Sequence, residues 1–314
     1  MKQIPPSTKL PVYVNDRYSR PDINFETIKK AATIAKAIKA DPDLVAVMTI
    51  RDPQEQKDAI NEAIGAILEF VDPAYLDAVR TGEPSGLAAT NGLGWDPTLY
   101  DMVVHSTAGI LSALRDIEDG QFAAASLSSG LHHASPTRGS GYCTVNSLAI
   151  AALIAASKGL RVVILDLDAH CGGGTNAYLE AFPELSARIT HIDVSVSSFD
   201  SYTPRTEDMF ELTNEDEYML TIDRALKKVA LTKPDVVFYN AGVDIWPHVS
   251  PKTVSQRDLT VSEAIREMNS RCVIVMAGGY GDDGQIIPLH LGTLKAFAIG
   301  TQKDIRRGLE ASPH

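Results

Sequence analysis

Residues Val162–Thr175 read VVILDLDAHCGGGT. An apolar run rich in β-branched residues has the composition of a strand buried on both faces. It ends in Asp166, Asp168 and His170, and three glycines follow. Side chains alternate along a strand with a period of two, which predicts that these three polar groups share one side. Buried strands of α/β proteins end in loops at their carboxyl edge, where ligands bind. Two carboxylates and an imidazole there are costly to bury unless they hold something. A metal ion is the simplest occupant. A capping Asp and a surface His on a βα loop would spell the same letters in an arbitrary chain, so the rest of the sequence has to decide.

Working outward, strands and helices alternate. After the glycines, Asn176–Phe182 predicts a short helix, Ile189–Val196 a strand and Ser197–Asp208 a polar loop containing Phe199 and Tyr202. Asp216–Leu231 is an amphipathic helix by spacing. Pro234–Asn240 and Cys272–Ala277 are strands, separated by a helix over Leu259–Met268, and a last helix covers Ile286–Phe297. Before the opening stretch, Thr144–Ser157 predicts a buried helix, Phe122–Leu127 a short strand and Leu99–Ile117 a helix. Arg80–Asp96, rich in Gly, Thr and Asn, predicts a long surface loop of the kind that is often functional. Further back, Gln54–Phe70 and Pro73–Val79 predict helices, Leu10–Val14 and Leu44–Ile50 strands, and Asn24–Ala40 a helix. Such alternation implies crossover connections and a parallel sheet covered on both faces. Neither a repeat nor a linker interrupts the pattern, so residues 1–314 read as one domain, with a motif-bearing core at about 90–300.

Composition narrows the function classes. A net charge of −11 makes nucleic acid and anionic membrane poor partners and is compatible with a cationic small substrate. Three cysteines without a CxxC pair argue against a disulfide framework and suit a reducing, cytoplasmic setting. The first residues, MKQIPPSTKLPVYVND, contain no apolar signal core, and no run of about 18 apolar residues predicts a membrane span.

Four predicted strand ends carry unusual residues: Gly130-Leu131-His132-His133, then Asp166, Asp168 and His170, then Gly242-Val243-Asp244, then Gly278-Gly279-Tyr280. Carboxyl ends of parallel strands lie along one edge, so these groups can converge from distant parts of the chain. Each piece has a bland reading taken singly. His132 is also what a satisfied core histidine looks like, Asp244 a helix cap, Tyr280 packing and Trp95 a loop anchor.

In this order, GLHHA, GYCTVN, LDLDAHCGGGT, AGVD and AGGY resemble the histone deacetylase-like family, which includes acetylpolyamine amidohydrolases and acetoin-utilisation proteins. The resemblance covers most of the chain. Before residue 90 it rests only on a loose pattern around Tyr18–Ile28, and just beyond it on the loop GLGWD. It implies the arginase/deacetylase α/β fold, a single domain whose mostly parallel sheet of about eight strands lies between helical layers, with the active site at the strand carboxyl ends. It implies a zinc-dependent amidohydrolase acting on an acyl-lysine, an acylpolyamine or a related small amide, with Fe2+ as an alternative metal. Asp168, His170 and Asp244 match the metal ligands, and such a set leaves room for water and a substrate carbonyl. His132 and His133 match the proton-handling pair, Tyr280 the oxyanion-stabilising tyrosine, and Asp166 the carboxylate that orients the first histidine and borders a monovalent-cation (K+) site. Gly141 and Tyr142 match one wall of the acyl tunnel. Phe199 or Tyr202 supplies the opposite wall, and Trp95 and Asp96 lie on the loop that grips substrate outside. A homo-oligomer is compatible with all of this.

The chain departs from the family's D-x-D-x-H-H-G-D-G at two places. Cys171 replaces the second histidine, and Gly173 replaces an aspartate that would orient His133. Either another group, such as a water or Asn176, holds His133, or the protein is a weakened hydrolase that binds without turning over. The expectation is retained activity. Asp282 and Asp283, after Tyr280, are either a selector for cationic amines or a solvated turn. Two other readings remain. A ureohydrolase on the same fold needs a D-A-H-x-D motif, and Gly172 occupies its last position. An acyl-transfer role in secondary metabolism is the other.

Overall fold

A computed structural model describes residues 9–19 and 26–298. The first two residues of the helix expected over Asn24–Ala40, and part of the pattern around Tyr18–Ile28, lie outside them.

The chain begins with β1 (Leu10–Tyr13), α1 (Glu26–Ala40), α2 (Pro42–Val47) and β2 (Met48–Arg51). Four helices follow, α3 (Ala59–Phe70), α4 (Pro73–Thr81), α5 (Ser85–Ala88) and α6 (Leu99–Glu118), leading to β3 (Ala123–Ser126). Next come α7 (Ser147–Ser157), β4 (Val162–Asp166), α8 (Gly173–Ala181), α9 (Pro183–Ser186), β5 (Ile189–Ser195) and β6 (Met209–Leu212). The last elements are α10 (Tyr218–Thr232), β7 (Val236–Gly242), α11 (Pro251–Glu267), β8 (Arg271–Ala277) and α12 (Asp283–Ala298). The strands form one parallel eight-stranded sheet in the order β2-β1-β3-β8-β7-β4-β5-β6. This is the α/β architecture of the arginase/deacetylase fold.

Alternation within the strands builds two cores. Val163 and Leu165 of β4 join Val237, Tyr239 and Ile274 under α1, α10, α11 and α12. Val162 and Ile164 point the other way, with Phe238, Val273 and Val275, under α3, α6 and α7. A strand covered on both faces needs no polar side, so its sequence is a continuous apolar run. The Ala-rich α7 is buried almost all round. Its first turn is closed by Asn146, whose side chain accepts from Ala149 N at 2.9 Å.

Four expectations need correction. Leu44–Ile50 is not a single strand: Asp41 caps a helix with Pro42 in its first turn, so Pro42–Val47 is α2 and only Met48–Arg51 pairs with β1. The expected helix at Leu259–Met268 starts at Pro251, because Ser250 caps it there. The edge strand β6 was not expected, since Met209–Leu212 (MFEL) is too short and too exposed to alternate clearly. Finally, β4 stops at Asp166, so Asp168 and His170 lie in the following loop and their approach is not a consequence of strand alternation.

Candidate active site

Five neighbouring strands at the centre of the sheet, β3, β8, β7, β4 and β5, release loops at their carboxyl ends, and the site residues lie on those loops. Asp168 and His170 follow β4, Asp244 follows β7, and Tyr280 follows β8. Ligand atoms of Asp168, His170 and Asp244 all fall within 4.8 Å of one another. His170 Nδ1 lies 3.3 Å from Asp168 Oδ1 and 3.1 Å from Asp244 Oδ2. Gly278, at φ +62°, permits this closeness, since a Cβ there would overlap the Asp244 carboxylate.

The donor set fits a divalent cation. The Oδ2 of Asp244 is buried, with His170 Nδ1 3.1 Å away. Burial and then the Asp168 charge raise the Asp244 pKa. Hydrogen bonds donated to Asp168 and then to Asp244 pull the His170 pKa up to about 10. Two buried carboxylates that draw a proton onto their neighbouring imidazole are a site that calls for positive charge. One imidazole and two carboxylates also leave coordination positions open, as catalytic sites with three protein ligands do.

Both tandem histidines are buried and each has a carboxylate. Asp166 Oδ2 lies 2.8 Å from His132 Nδ1, and Asp166 Oδ1 accepts from Asn240 Nδ2 at 2.8 Å. For His133 the partner is Asp200, whose Oδ2 lies 2.9 Å from Nδ1. Asn176 instead donates to Glu180. Environment separates the two imidazoles. Burial opposes charge on His132, but Asp166 and Asp168 outweigh it and raise the pKa to about 10. Burial and then the charge of His132 lower that of His133, against the Asp200 hydrogen bond. Two neighbouring groups driven apart in this way are suited to different roles.

A cavity of about 510 Å³ opens above these groups, lined by Thr90, Asn91, Gly92, His133, Gly141, Tyr142, His170, Phe199 and Tyr280. His133 therefore reaches the cavity, while His132 is not among its lining. The Phe199 ring stands edge-on to His133 at 5.0 Å and to His170 at 5.9 Å. Desolvation and then the charges of Asp168 and Asp244 raise the phenol pKa of Tyr280, which keeps its hydroxyl a donor. A second cavity is lined by Tyr280 together with Lys30, Tyr18, Ser106 and Cys143. Buried Lys30 donates to Gly278 O, and burial lowers its pKa to about 8.

Several expected site residues sit elsewhere. Tyr202 turns away from the cavity, its hydroxyl 3.1 Å from His191 Nδ1 and its ring against Phe210, so of the two wall candidates only Phe199 lines it. Trp95 is a loop anchor that donates from Nε1 to Val79 O and packs on Gly82. Asp96 accepts from Thr98 N and Oγ1 ahead of α6, and neither residue lines the cavity. Asp282 and Asp283 open α12, where Asp282 O accepts from Gln285 N and Ile286 N. Sequence reading missed Asp200, Asp193 and Lys30. Asp193, in ITHIDVS, had a visible signal as a carboxylate inside an apolar strand. It is buried in register with Asp166 and accepts from Gly172 N at 2.7 Å and Ser195 Oγ at 2.5 Å. Asp200 and Lys30 had none, because a loop aspartate and a helical lysine are ordinarily solvated.

The chain is 34% identical over 185 residues to an uncharacterized protein of Picosynechococcus sp. (strain ATCC 27264 / PCC 7002 / PR-6), covering 57% of this chain and 61% of that one. It is 32% identical over 207 residues to histone deacetylase 2 of Arabidopsis thaliana, covering 60% and 52%. It is 35% identical over 137 residues to acetoin utilization protein AcuC of Staphylococcus aureus (strain Mu50 / ATCC 700699), covering 38% and 34%. The similarity thus spans between a third and three fifths of these relatives. The histone deacetylase domain matches residues 25–286, which takes in every strand end described above except β1's, and by that match the chain belongs to the histone deacetylase family.

Proposed function

We propose that this protein is a zinc-dependent amidohydrolase that removes an acyl group from an amine: an acyl-lysine, an acylpolyamine or a small related amide. The observation that carries the reading is the meeting of His133, His170 and Tyr280 at one cavity, with Asp168 and Asp244 beside His170. A divalent ion held by Asp168, His170 and Asp244 supplies Lewis-acid activation of water and of the amide carbonyl. His133, the imidazole with the lower affinity for protons, takes the proton of the attacking water at Nε2 and returns it to the departing amine. His132, held charged by Asp166, stabilises negative charge beside it. The Tyr280 hydroxyl donates to the oxyanion that forms as the carbonyl becomes tetrahedral. Gly141, Tyr142 and Phe199 enclose the acyl chain and exclude water from it.

A monovalent cation beside Asp166 and a cytoplasmic setting belong to the same proposal. The second is supported by three cysteines that are all buried and free. No helix among the described residues is long and apolar enough to cross a membrane. The test is a deacylation screen of the zinc-loaded protein across acyl-lysine peptides, acylpolyamines and small amides, with metal analysis. One metal ion per chain and turnover on one class is expected. Protein that binds these amides without hydrolysing any of them overturns the reading in favour of a binding module, and two ions per chain would favour the ureohydrolase.

A further inference from the structure

The loop between β5 and β6 carries two neighbours that face the same imidazole, Phe199 on its ring edge and Asp200 on its Nδ1. We propose that Asp200 is the positioning residue for His133, and that Gly173 is the vacancy that lets it reach there. For its catalytic meaning this rests on the amidohydrolase reading above.

The contact is a built one. Asp200 Oδ2 lies 2.9 Å from His133 Nδ1 and accepts from Gly174 N at 3.2 Å, in the first turn of α8, where backbone N–H groups favour an anion. Asp200 adopts φ +62°, a left-handed conformation that Asp tolerates better than most residues. The loop is tied to the metal-ligand loop by Cys171 N to Phe199 O at 3.0 Å and by Ser197 N to Ala169 O at 2.8 Å. A Cβ at Gly173 would lie against the Asp200 backbone O, 2.6 Å from Asp200 Oδ1 and 2.7 Å from its Cγ. A side chain at position 173 and the observed placement of Asp200, backbone and carboxylate alike, therefore exclude each other. The aspartate expected after His170 is not simply lost. Its charge arrives from a different strand end and fills the volume that the glycine leaves.

The consequence concerns the tautomer. A carboxylate at Nδ1 holds the proton there and leaves Nε2 as the acceptor facing the cavity. His132 and His133 are then two parallel imidazole–carboxylate pairs, one fed by β4 and one by the β5–β6 loop. The loop that walls the acyl chain through Phe199 also sets the orientation of the base.

The experiment compares wild type with Asp200→Ala, Asp200→Asn and Gly173→Ala, all zinc-loaded. Metal content and thermal midpoint establish that each is folded. Nitrogen-15 NMR of labelled histidine reads the His133 tautomer independently of turnover. The expected result is loss of the Nδ1-protonated form in Asp200→Ala and a kcat about 10- to 100-fold lower with KM within about threefold. Asp200→Asn, which keeps an acceptor oxygen, loses less. Gly173→Ala, which puts a Cβ against the backbone O and the carboxylate of Asp200, shifts both in the same direction as Asp200→Ala. An unchanged tautomer in Asp200→Ala, or a folded Gly173→Ala that keeps the wild-type tautomer, overturns the proposal. If the wild type turns over no amide, the function reading fails, and the tautomer measurement still decides the role of Asp200.

Discussion

At the scale of the residue, the proposed mechanism gives Tyr280 the narrowest task. An oxyanion exists only once the carbonyl has become tetrahedral, so a donor aimed at it lowers the barrier without tightening substrate binding. Tyr280→Phe keeps the ring beside His170, at 6.3 Å between centroids, and removes only the hydroxyl. The expected result is a kcat lower by about 100- to 1,000-fold with KM little changed, read from steady-state kinetics on whichever amide the wild type cleaves. The residues legible in the sequence share a feature with Tyr280. Asp168, His170 and Asp244 each stand just after an apolar strand, where a polar side chain has no bland reason to be repeated four times along one edge. Asp200 carried no such mark. Its meaning depends on a glycine 27 positions earlier, and only their juxtaposition shows that one makes room for the other.

At the scale of the element, the loops that carry Asp168 and Asp244 are tied to α11. Arg257 is completely buried and donates from Nη1 to Leu167 O at 3.1 Å and Gly242 O at 2.7 Å, which joins the carboxyl ends of β4 and β7. Its charge is met by Asp258, 2.8 Å from Nε, and that carboxylate also accepts from Tyr239 and Thr293 hydroxyls. Breaking one partner of a buried pair leaves the other charge uncompensated. Arg257→Leu is expected to lower stability by roughly 3–5 kcal/mol, measured as a urea midpoint shift at constant slope, with Asp258→Asn in the same chain restoring part of it. Strand and helix identities were mostly readable because their periods differ. The exceptions have local causes: a proline and a cap turned the start of one expected strand into α2, and β6 is an edge too short to show a period.

At the scale of the whole molecule, acid should act through a histidine remote from the metal ligands in sequence. His290 of α12 is fully buried, and neither ring nitrogen has a hydrogen-bond partner among the described residues. Burial, then the charges of Lys30 on α1 and Arg257 on α11, lower its pKa well below the usual value. The unfolded chain, with histidine near pKa 6.5, then takes up the proton first. The stability associated with neutral His290 is present above that pH and is lost as the pH falls below it. Between pH 7.5 and 5.5 the wild type should lose about 1.4 kcal/mol more than His290→Met, compared by urea midpoints at both values. Equal losses in the two proteins would show that His290 is not the group responsible.

Most of the strands and helices, the parallel sheet and the identity of the metal-ligand candidates were determined by sequence alone, because hydrophobic periodicity and strand-end chemistry are local properties. Which groups share a cavity was not. Strand alternation was the wrong reason for Asp168 and His170 to approach, since β4 ends at Asp166 and the loop brings them together with Asp244. Tyr202 and Phe199 are three residues apart and look interchangeable as walls, yet one stacks on Phe210 and the other stands against His133. The replacement of an absent aspartate by Asp200 was decided only in three dimensions, because a carboxylate acts through distance and free volume, and neither is a property of position along the chain.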